Sequence, residues 1–198
     1  MVKKLLFFLL FLTVNVLTAQ DPSGLTLSEA RPFCSDSGAQ FPNTYDGSTA
    51  VETLPDYGCL FPQLRKNPTW YFLKIETSGN LDLKLISYTS NDVRMDTDFI
   101  AWGPFSEDLF NEIINNGDGQ ELTGDKIIGC EKSTSRPFEE DIIINAALVD
   151  EYYIVMIANF SGDEGYSTLE EQNPNDPNTG TTDCFVNDAP TITSTAVT

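Results

Sequence analysis

The chain has no histidine, and its eleven basic residues are outnumbered by thirty acidic ones. Without histidine, the Ser-His-Asp and Cys-His arrangements of nucleophilic catalysis are excluded. The sequence also lacks a glycine-rich phosphate loop between a strand and a helix, and its many carboxylate pairs lie in no recognisable motif for glycoside hydrolysis. We therefore predict that the protein is not an enzyme.

No long apolar run follows residue 19, but the first nineteen residues have the parts of a secretory signal peptide. Lys3 and Lys4 supply a positive start, and residues 5–12 form an apolar run too short to span a bilayer. Ala19 places a small residue at the expected cleavage point before Gln20. The sequence predicts an exported protein, secreted or held at the cell surface, that does not insert into the membrane after cleavage.

The excess of acidic residues restricts the partners of the mature chain. Removal of residues 1–19 takes away two basic residues and no acidic one, so the formal charge falls from −19 to −21. A chain this acidic repels phosphate backbones and anionic membranes. Nucleic acid and lipid headgroups are therefore not expected as partners.

Four cysteines, Cys34, Cys59, Cys130 and Cys184, are spread along the chain, and no CxxC unit occurs. In an oxidising exterior, cysteines in this number and spacing predict two structural disulfides. Spacing alone leaves three pairings open. Of these we favour Cys34–Cys59 together with Cys130–Cys184.

Short strand patterns separated by turn residues predict an all-β fold, an antiparallel and jelly-roll-like β-sandwich with one short helix. The sandwich is expected to span residues 20–186, with an irregular lead-in to about residue 68. Leucines at 81, 83 and 85 alternate with Asp82 and Lys84, which places the leucines on one face of a strand. Residues 152–160 are apolar on both faces and are expected at the centre of a sheet. Other strands are expected at 70–75, 99–102, 127–130, 142–144 and 184–186.

The predicted helix follows Gly103-Pro104, which we expect to end the strand at 99–102. Ser106 is expected to cap this helix, with Glu107 and Asp108 in its first turn. Beyond the sandwich, residues 187–198 contain a proline and an alternating Thr-Ile-Thr pattern. This end of the sequence predicts a linker or the first strand of a following repeat domain.

Six motifs occur in a fixed order along the chain: YGCL at 57–60, NPTWYFLKI at 67–75, SGNLDLKL at 78–85, DTDFIAWGPF at 96–105, EYYIVMIANFSG at 151–162 and TGTTDC at 179–184. Together they resemble the amino-terminal β-sandwich domain of large secreted adhesins and gliding-motility proteins of the Bacteroidota, which are exported by the type IX route. The closing stretch, VNDAPTITSTAVT, is similar to the junction into the cadherin-like or immunoglobulin-like repeats of such adhesins.

The resemblance implies a non-catalytic module of a cell-surface adhesin that serves attachment or gliding motility. It implies as partner a surface polysaccharide, or another cell-surface or export protein. In the family pattern a further cysteine often follows the GPF motif, where this chain has Leu109-Phe110, and the partner of Cys130 is left open by that departure. Two alternatives remain: a carbohydrate-binding module of a secreted hydrolase, and a ligand-free accessory domain for export or anchoring.

An acidic cluster precedes the strand at 99–102. Asp96 and Asp98 are two residues apart, so in an extended strand they share a face, and Asp92 precedes them in a turn. Calcium takes six to eight oxygen ligands, and these three carboxylates with backbone carbonyls are a candidate calcium site. The structural alternative is that they accept backbone N–H bonds or face the solvent.

Aromatic residues in the predicted strands suggest a second kind of site. Trp70 and Trp102 are candidates for stacking on a sugar ring, if either side chain is exposed. The alternative for a large aromatic side chain inside a strand is packing in the core.

Overall fold

The computed structural model of the protein describes residues 23–35, 39–132 and 138–184. The predicted signal peptide, the linker at 187–198 and residues 185–186 of the expected last strand lie outside the described residues. Ten strands and one α-helix occur in the described part: β1 (Arg31–Pro32), β2 (Phe41–Asn43), β3 (Pro68–Thr77), β4 (Gly79–Thr89), β5 (Thr97–Phe105), α1 (Glu107–Asn116), β6 (Ile127–Glu131), β7 (Glu139–Ala147), β8 (Tyr152–Asn159), β9 (Gly165–Glu171) and β10 (Thr181–Thr182).

The strands form two sheets that pack face to face. Sheet A has the order β1-β3-β8-β5-β6, with β10 also paired to β3, and sheet B has the order β2-β9-β4-β7. Every strand pair is antiparallel except β1 with β3. The chain crosses between the sheets from β3 to β4 and back from β4 to β5. The predicted all-β, jelly-roll-like sandwich with one short helix is confirmed, and so is the central place of β8.

The inner core lies between the two sheets and follows the period-two alternation of the strands. Leu81, Leu83 and Leu85 point into it from β4, as predicted, and meet the inward residues of β3, β5, β7 and β8. Asp82 and Lys84 lie on the outer face of sheet B, where the Lys84 ammonium donates to Asp141 at 2.6 Å. Burial of apolar surface on one face and hydration of the other therefore fix the register of β4.

A second core covers the opposite face of sheet A. Here Ile100 and Trp102 of β5 pack under Leu27 and Leu60 from the lead-in and under Phe110 of α1. We call residues 23–30 and 48–66 of the lead-in, together with α1 and residues 118–126, the cover layer. The lead-in is irregular, as predicted, but its side chains are part of the core. Sheet A is buried on both faces.

Helix α1 begins and ends as its sequence predicts. The Ser106 hydroxyl accepts a hydrogen bond from the Leu109 N–H, and Glu107 and Asp108 occupy the first turn, where carboxylates favour the helix N-terminus. Gly117 ends the helix in the left-handed conformation.

Two predicted strand boundaries are wrong. Strand β5 does not stop at Gly103-Pro104 but runs through it to Phe105, across a shift in its pairing with β8. A Cβ atom on Gly103 would lie 2.3 Å from the Tyr153 ring, so this position allows close approach that only glycine permits. The last described strand, β10, lies at Thr181–Thr182 rather than at 184–186.

Both predicted disulfides form, but the favoured pairing is wrong. The bonds join Cys34 to Cys184 and Cys59 to Cys130. Cys34 and Cys184 meet because β1 and β10 pair with the same edge of β3. Cys59 lies in the cover layer and bonds to Cys130 of β6 beneath it. The tertiary positions of β1 and β10, rather than loop length, decide the pairing.

Replacement of Cys34 and Cys184 by serine is expected to lower the free energy of unfolding by about 5 kcal/mol, because the lost bond links positions 150 residues apart. The same change at Cys59 and Cys130, which are 71 residues apart, is expected to cost about 4 kcal/mol. Denaturant unfolding of the two double variants measures both costs. Peptide mapping without reduction checks the pairing, and recovery of a linked Cys34–Cys59 peptide would contradict it.

Candidate functional site

The two tryptophans are not available to a ligand. Trp70 and Trp102 are both 0% exposed, and their rings stack on each other with centroids 5.9 Å apart. The Trp102 indole N–H donates to the Asp56 carbonyl at 3.0 Å. Both rings lie in the core under the cover layer, so the prediction that they stack on a sugar is wrong.

Asp98 is the second residue of β5 and lies on the face of sheet A that the cover layer buries. It lies directly opposite Ala158 of β8, and it shares its face with Ile100 and Trp102. Only 4% of the residue is exposed. A carboxylate at this position is surrounded by apolar neighbours instead of water. The free energy cost of burying its charge depends on which charged groups lie nearby.

Two charged residues act on Asp98. The pKa of Asp98 is raised to about 7, mainly by burial and also by the charge of Asp96, while the charge of Lys132 opposes the shift. Burial also raises the pKa of Asp96, whose Oδ1 atom is buried and has no hydrogen-bond partner among the described residues. The pair therefore holds a proton at Asp98 up to nearly neutral pH.

Lys132 lies beside Asp98 but its ammonium group is directed to an aromatic ring. Because Glu131 pairs with Phe99, the next residue of the chain, Lys132, comes opposite Asp98. The Lys132 ammonium lies 4.2 Å from the ring centroid of Phe61, which is half exposed. A cation over a ring face is stabilised by the ring quadrupole, so Lys132 compensates Asp98 only in part.

The predicted calcium cluster of Asp92, Asp96 and Asp98 does not assemble, and that prediction is wrong. Asp92 is on the other side of the sandwich, where its Oδ1 accepts a hydrogen bond from the Tyr166 hydroxyl at 2.8 Å. No group of three or more acidic, histidine or cysteine side chains suited to a metal occurs in the part of the chain that the structure describes. The three residues are close in the sequence, but the turn before Arg94 directs Asp92 to sheet B, away from Asp96 and Asp98.

An aromatic pair on the outer face of sheet B was not found from the sequence. Tyr88 of β4 lies directly opposite Tyr166 of β9, and their rings stack at 5.4 Å. The Arg94 guanidinium lies 5.8 Å from the Tyr88 centroid. The hydrogen bond that the Tyr166 hydroxyl donates to Asp92 raises the pKa of Tyr166. The alternation of β4 places Tyr88 on the same face as Lys84. Its partner Tyr166 was missed because the polar sequence of β9 did not predict a strand.

No family model matches this chain, and comparisons with curated proteins and with solved structures found no match. Among the described residues, no helix is both long and apolar enough to cross a membrane.

The Asp98→Asn variant is expected to be more stable than the natural protein at about pH 8, by about 4 kcal/mol, and to differ little at about pH 4. The unfolded chain releases this proton near pH 4, whereas the folded protein keeps it until about pH 7. Because the folded state binds the proton more tightly, its stability falls as the pH rises from 4 to 7. Denaturant unfolding across this range measures the difference.

The matched control is Asp92→Asn. Asp92 is exposed, so this change is expected to leave the pH dependence of the natural protein in place. A stability difference between Asp98→Asn and the natural protein that stays constant from about pH 4 to pH 8 would contradict the assignment of the buried proton to Asp98.

Proposed function

We propose that the chain is a non-catalytic module of a secreted cell-surface adhesin that serves attachment or gliding motility. The predicted signal peptide and the two disulfides support an oxidising exterior. The ordered motifs of the family resemblance supply the adhesin role. The single observation that carries the proposal is the Cys34–Cys184 bond, since it ties the two ends of the sandwich together.

The place of that bond suits a module that is pulled through its C-terminal end. Strand β10 is only two residues long, and its few backbone hydrogen bonds to β3 would separate one after another under tension. Cys184 lies two residues after β10, and its bond to Cys34 would pass tension to the segment that is paired with β3 through β1. In the proposed adhesin, a stalk that follows Cys184 would therefore pull on the body of the sandwich rather than peel β10 from it.

Deletion of residues 23–184 from the full-length protein is expected to abolish adhesion of whole cells to a surface while the remaining protein is still exported. Microscopy of attached cells measures adhesion, and immunodetection at the cell surface measures export. The double variant of Cys34 and Cys184 to serine is expected to keep adhesion at rest and lose it under shear flow.

Failure of export after the deletion would instead favour the accessory role in export or anchoring. Equal adhesion with and without the module, at equal surface amounts, would contradict the adhesin role.

A second candidate function, carbohydrate binding, is favoured by the stacked pair of Tyr88 and Tyr166. The pair lies on the solvent side of sheet B, beside the guanidinium of Arg94 and the carboxylate of Asp92. Aromatic rings with adjacent hydrogen-bonding groups are the elements from which sugar sites are built.

If this second function holds, a glycan array is expected to show binding that the Tyr166→Ala variant loses. The control is Phe61→Ala, since Phe61 is a half-exposed aromatic residue of the cover layer, which packs on sheet A. Equal binding by the two variants, or binding by neither the natural protein nor the control, would contradict a sugar site at the tyrosine pair.

A further inference from the structure

Strand β7 is the last strand of sheet B and pairs with β4 alone in the described structure. Backbone groups of alternate residues in an antiparallel strand point toward and away from the paired strand. The Asp141 N–H points away from β4, since it donates to the Glu131 carboxylate at 3.1 Å. By the same alternation, the N–H and C=O of Ile143 and Asn145 also point outward.

The free part of this edge is short and has two defined ends. At one end the Glu131 carboxylate, from β6, accepts a hydrogen bond from the Asp141 N–H, so this N–H is not available to an added strand. At the other end Ala146 has a φ of 52° and donates its N–H to the Asn80 side chain at 2.8 Å, so the strand turns away. Between them lies a free edge of about three residues, roughly 10 Å long.

A cavity of about 310 Å³ lies along this free edge, between β7 and the edge of sheet A. Its walls are formed by Ile144 of β7, Ile128 of β6 and Pro104 of β5. Tyr153 and Glu151 add polar atoms at its base, where the tyrosine hydroxyl donates to the carboxylate at 2.9 Å. An inward side chain of a strand added beside β7 would enter this cavity, because strand side chains alternate between the inner and outer faces.

The outer side of the edge carries one exposed aliphatic residue, between Asp141 and Asn145. Ile143 is 52% exposed, and Leu148 and Val149, in the turn that follows β7, are exposed to a similar degree. An exposed aliphatic residue on an unpaired strand is a template for pairing with another strand. Recognition by strand addition combines backbone hydrogen bonds with pockets for alternate side chains, and this edge offers both.

The charged residues near the Glu131 end of the edge indicate what charge an added strand would carry. Glu131, Glu139 and Asp141 lie together there. Lys84 and Arg94 are paired with Glu139 and Asp141, and the Lys132 ammonium lies over the Phe61 ring, so among the described residues Glu131 has no salt bridge. A second copy of this chain, with a formal charge of −19, would bring more negative charge to an acidic edge. A basic residue on the incoming strand would be attracted instead.

We propose that β7 binds an extended peptide segment of a partner protein, as an added strand of sheet B. The segment carries Val or Ile at the position that enters the cavity and Lys or Arg toward Glu131 and Asp141. Its backbone exchanges hydrogen bonds with Ile143 and Asn145. The proposal is independent of the adhesin role, since it depends only on the edge and the cavity.

The probe is a fluorescein-labelled peptide, Lys-Thr-Val-Thr-Val-Thr-Lys with blocked ends, titrated with the natural protein by fluorescence anisotropy. Ile143→Pro removes the central N–H donor and is expected to weaken binding by at least about tenfold. The matched control, Ile143→Thr, keeps the N–H and the β-branched shape and is expected to retain binding. A peptide with N-methyl groups on both valines is expected not to bind.

Hydrogen exchange on the natural protein tests the edge without any variant that could fail to fold. The peptide is expected to slow exchange of the Ile143 and Asn145 amides, and to leave the amides of β2, at the other edge of sheet B, unchanged. Absence of binding at millimolar peptide, protection that falls elsewhere, or equal binding by a folded Ile143→Pro variant would overturn the proposal. Sedimentation that shows self-association broken by Ile143→Pro would overturn the choice of partner in favour of a second copy.

Discussion

Burial of sheet A on both faces is the constraint on which most of this structure depends. An antiparallel sheet usually keeps one face in water, yet here β3, β5 and β8 have apolar residues on both faces, and both must be covered. Sheet B covers one face. The other needs the lead-in, α1 and the residues after it, which is why segments with so little regular structure contribute fully buried side chains such as Leu27 and Leu60.

The same constraint explains what happens to the residues that first suggested a site. Trp70 and Trp102 lie on the covered face, so each ring packs against the other instead of meeting solvent. Asp98 lies on that face as well, at the end where the cover layer becomes thin and Lys132 and Phe61 reach the surface. The pKa of Asp98 is raised because the layer that buries the two tryptophans also shields this carboxylate from water, which disfavours its charged form.

The sequence was sufficient to predict those strands and helix ends that depend on a pattern of residues close together in the chain. The leucine alternation of β4, the apolar run of β8 and the Ser106 cap of α1 each depend on neighbours within one strand or one turn, and each is confirmed. Strand β9 was missed because only Ser167 and Leu169 are fully buried, and its other residues are polar. The disulfide pairing and the separation of Asp92 from Asp98 depend on which strands share an edge, and no local pattern encodes that.

The two edges of the sandwich differ in what pairs with their backbone groups. At the β3 edge, β1 and β10 pair with the backbone groups of β3, and the Cys34–Cys184 bond links the segments that follow these two short strands. At the opposite edge, β7 pairs with β4 alone among the described strands, and a cavity lies beside it. The two edges are joined through Asn80 of β4, which pairs with Thr179 just before β10 and whose side chain accepts the Ala146 N–H of β7. In the proposed adhesin, the Cys34–Cys184 bond would therefore limit movement of the segment before β10, and with it movement of the β7 edge where we propose that a strand binds.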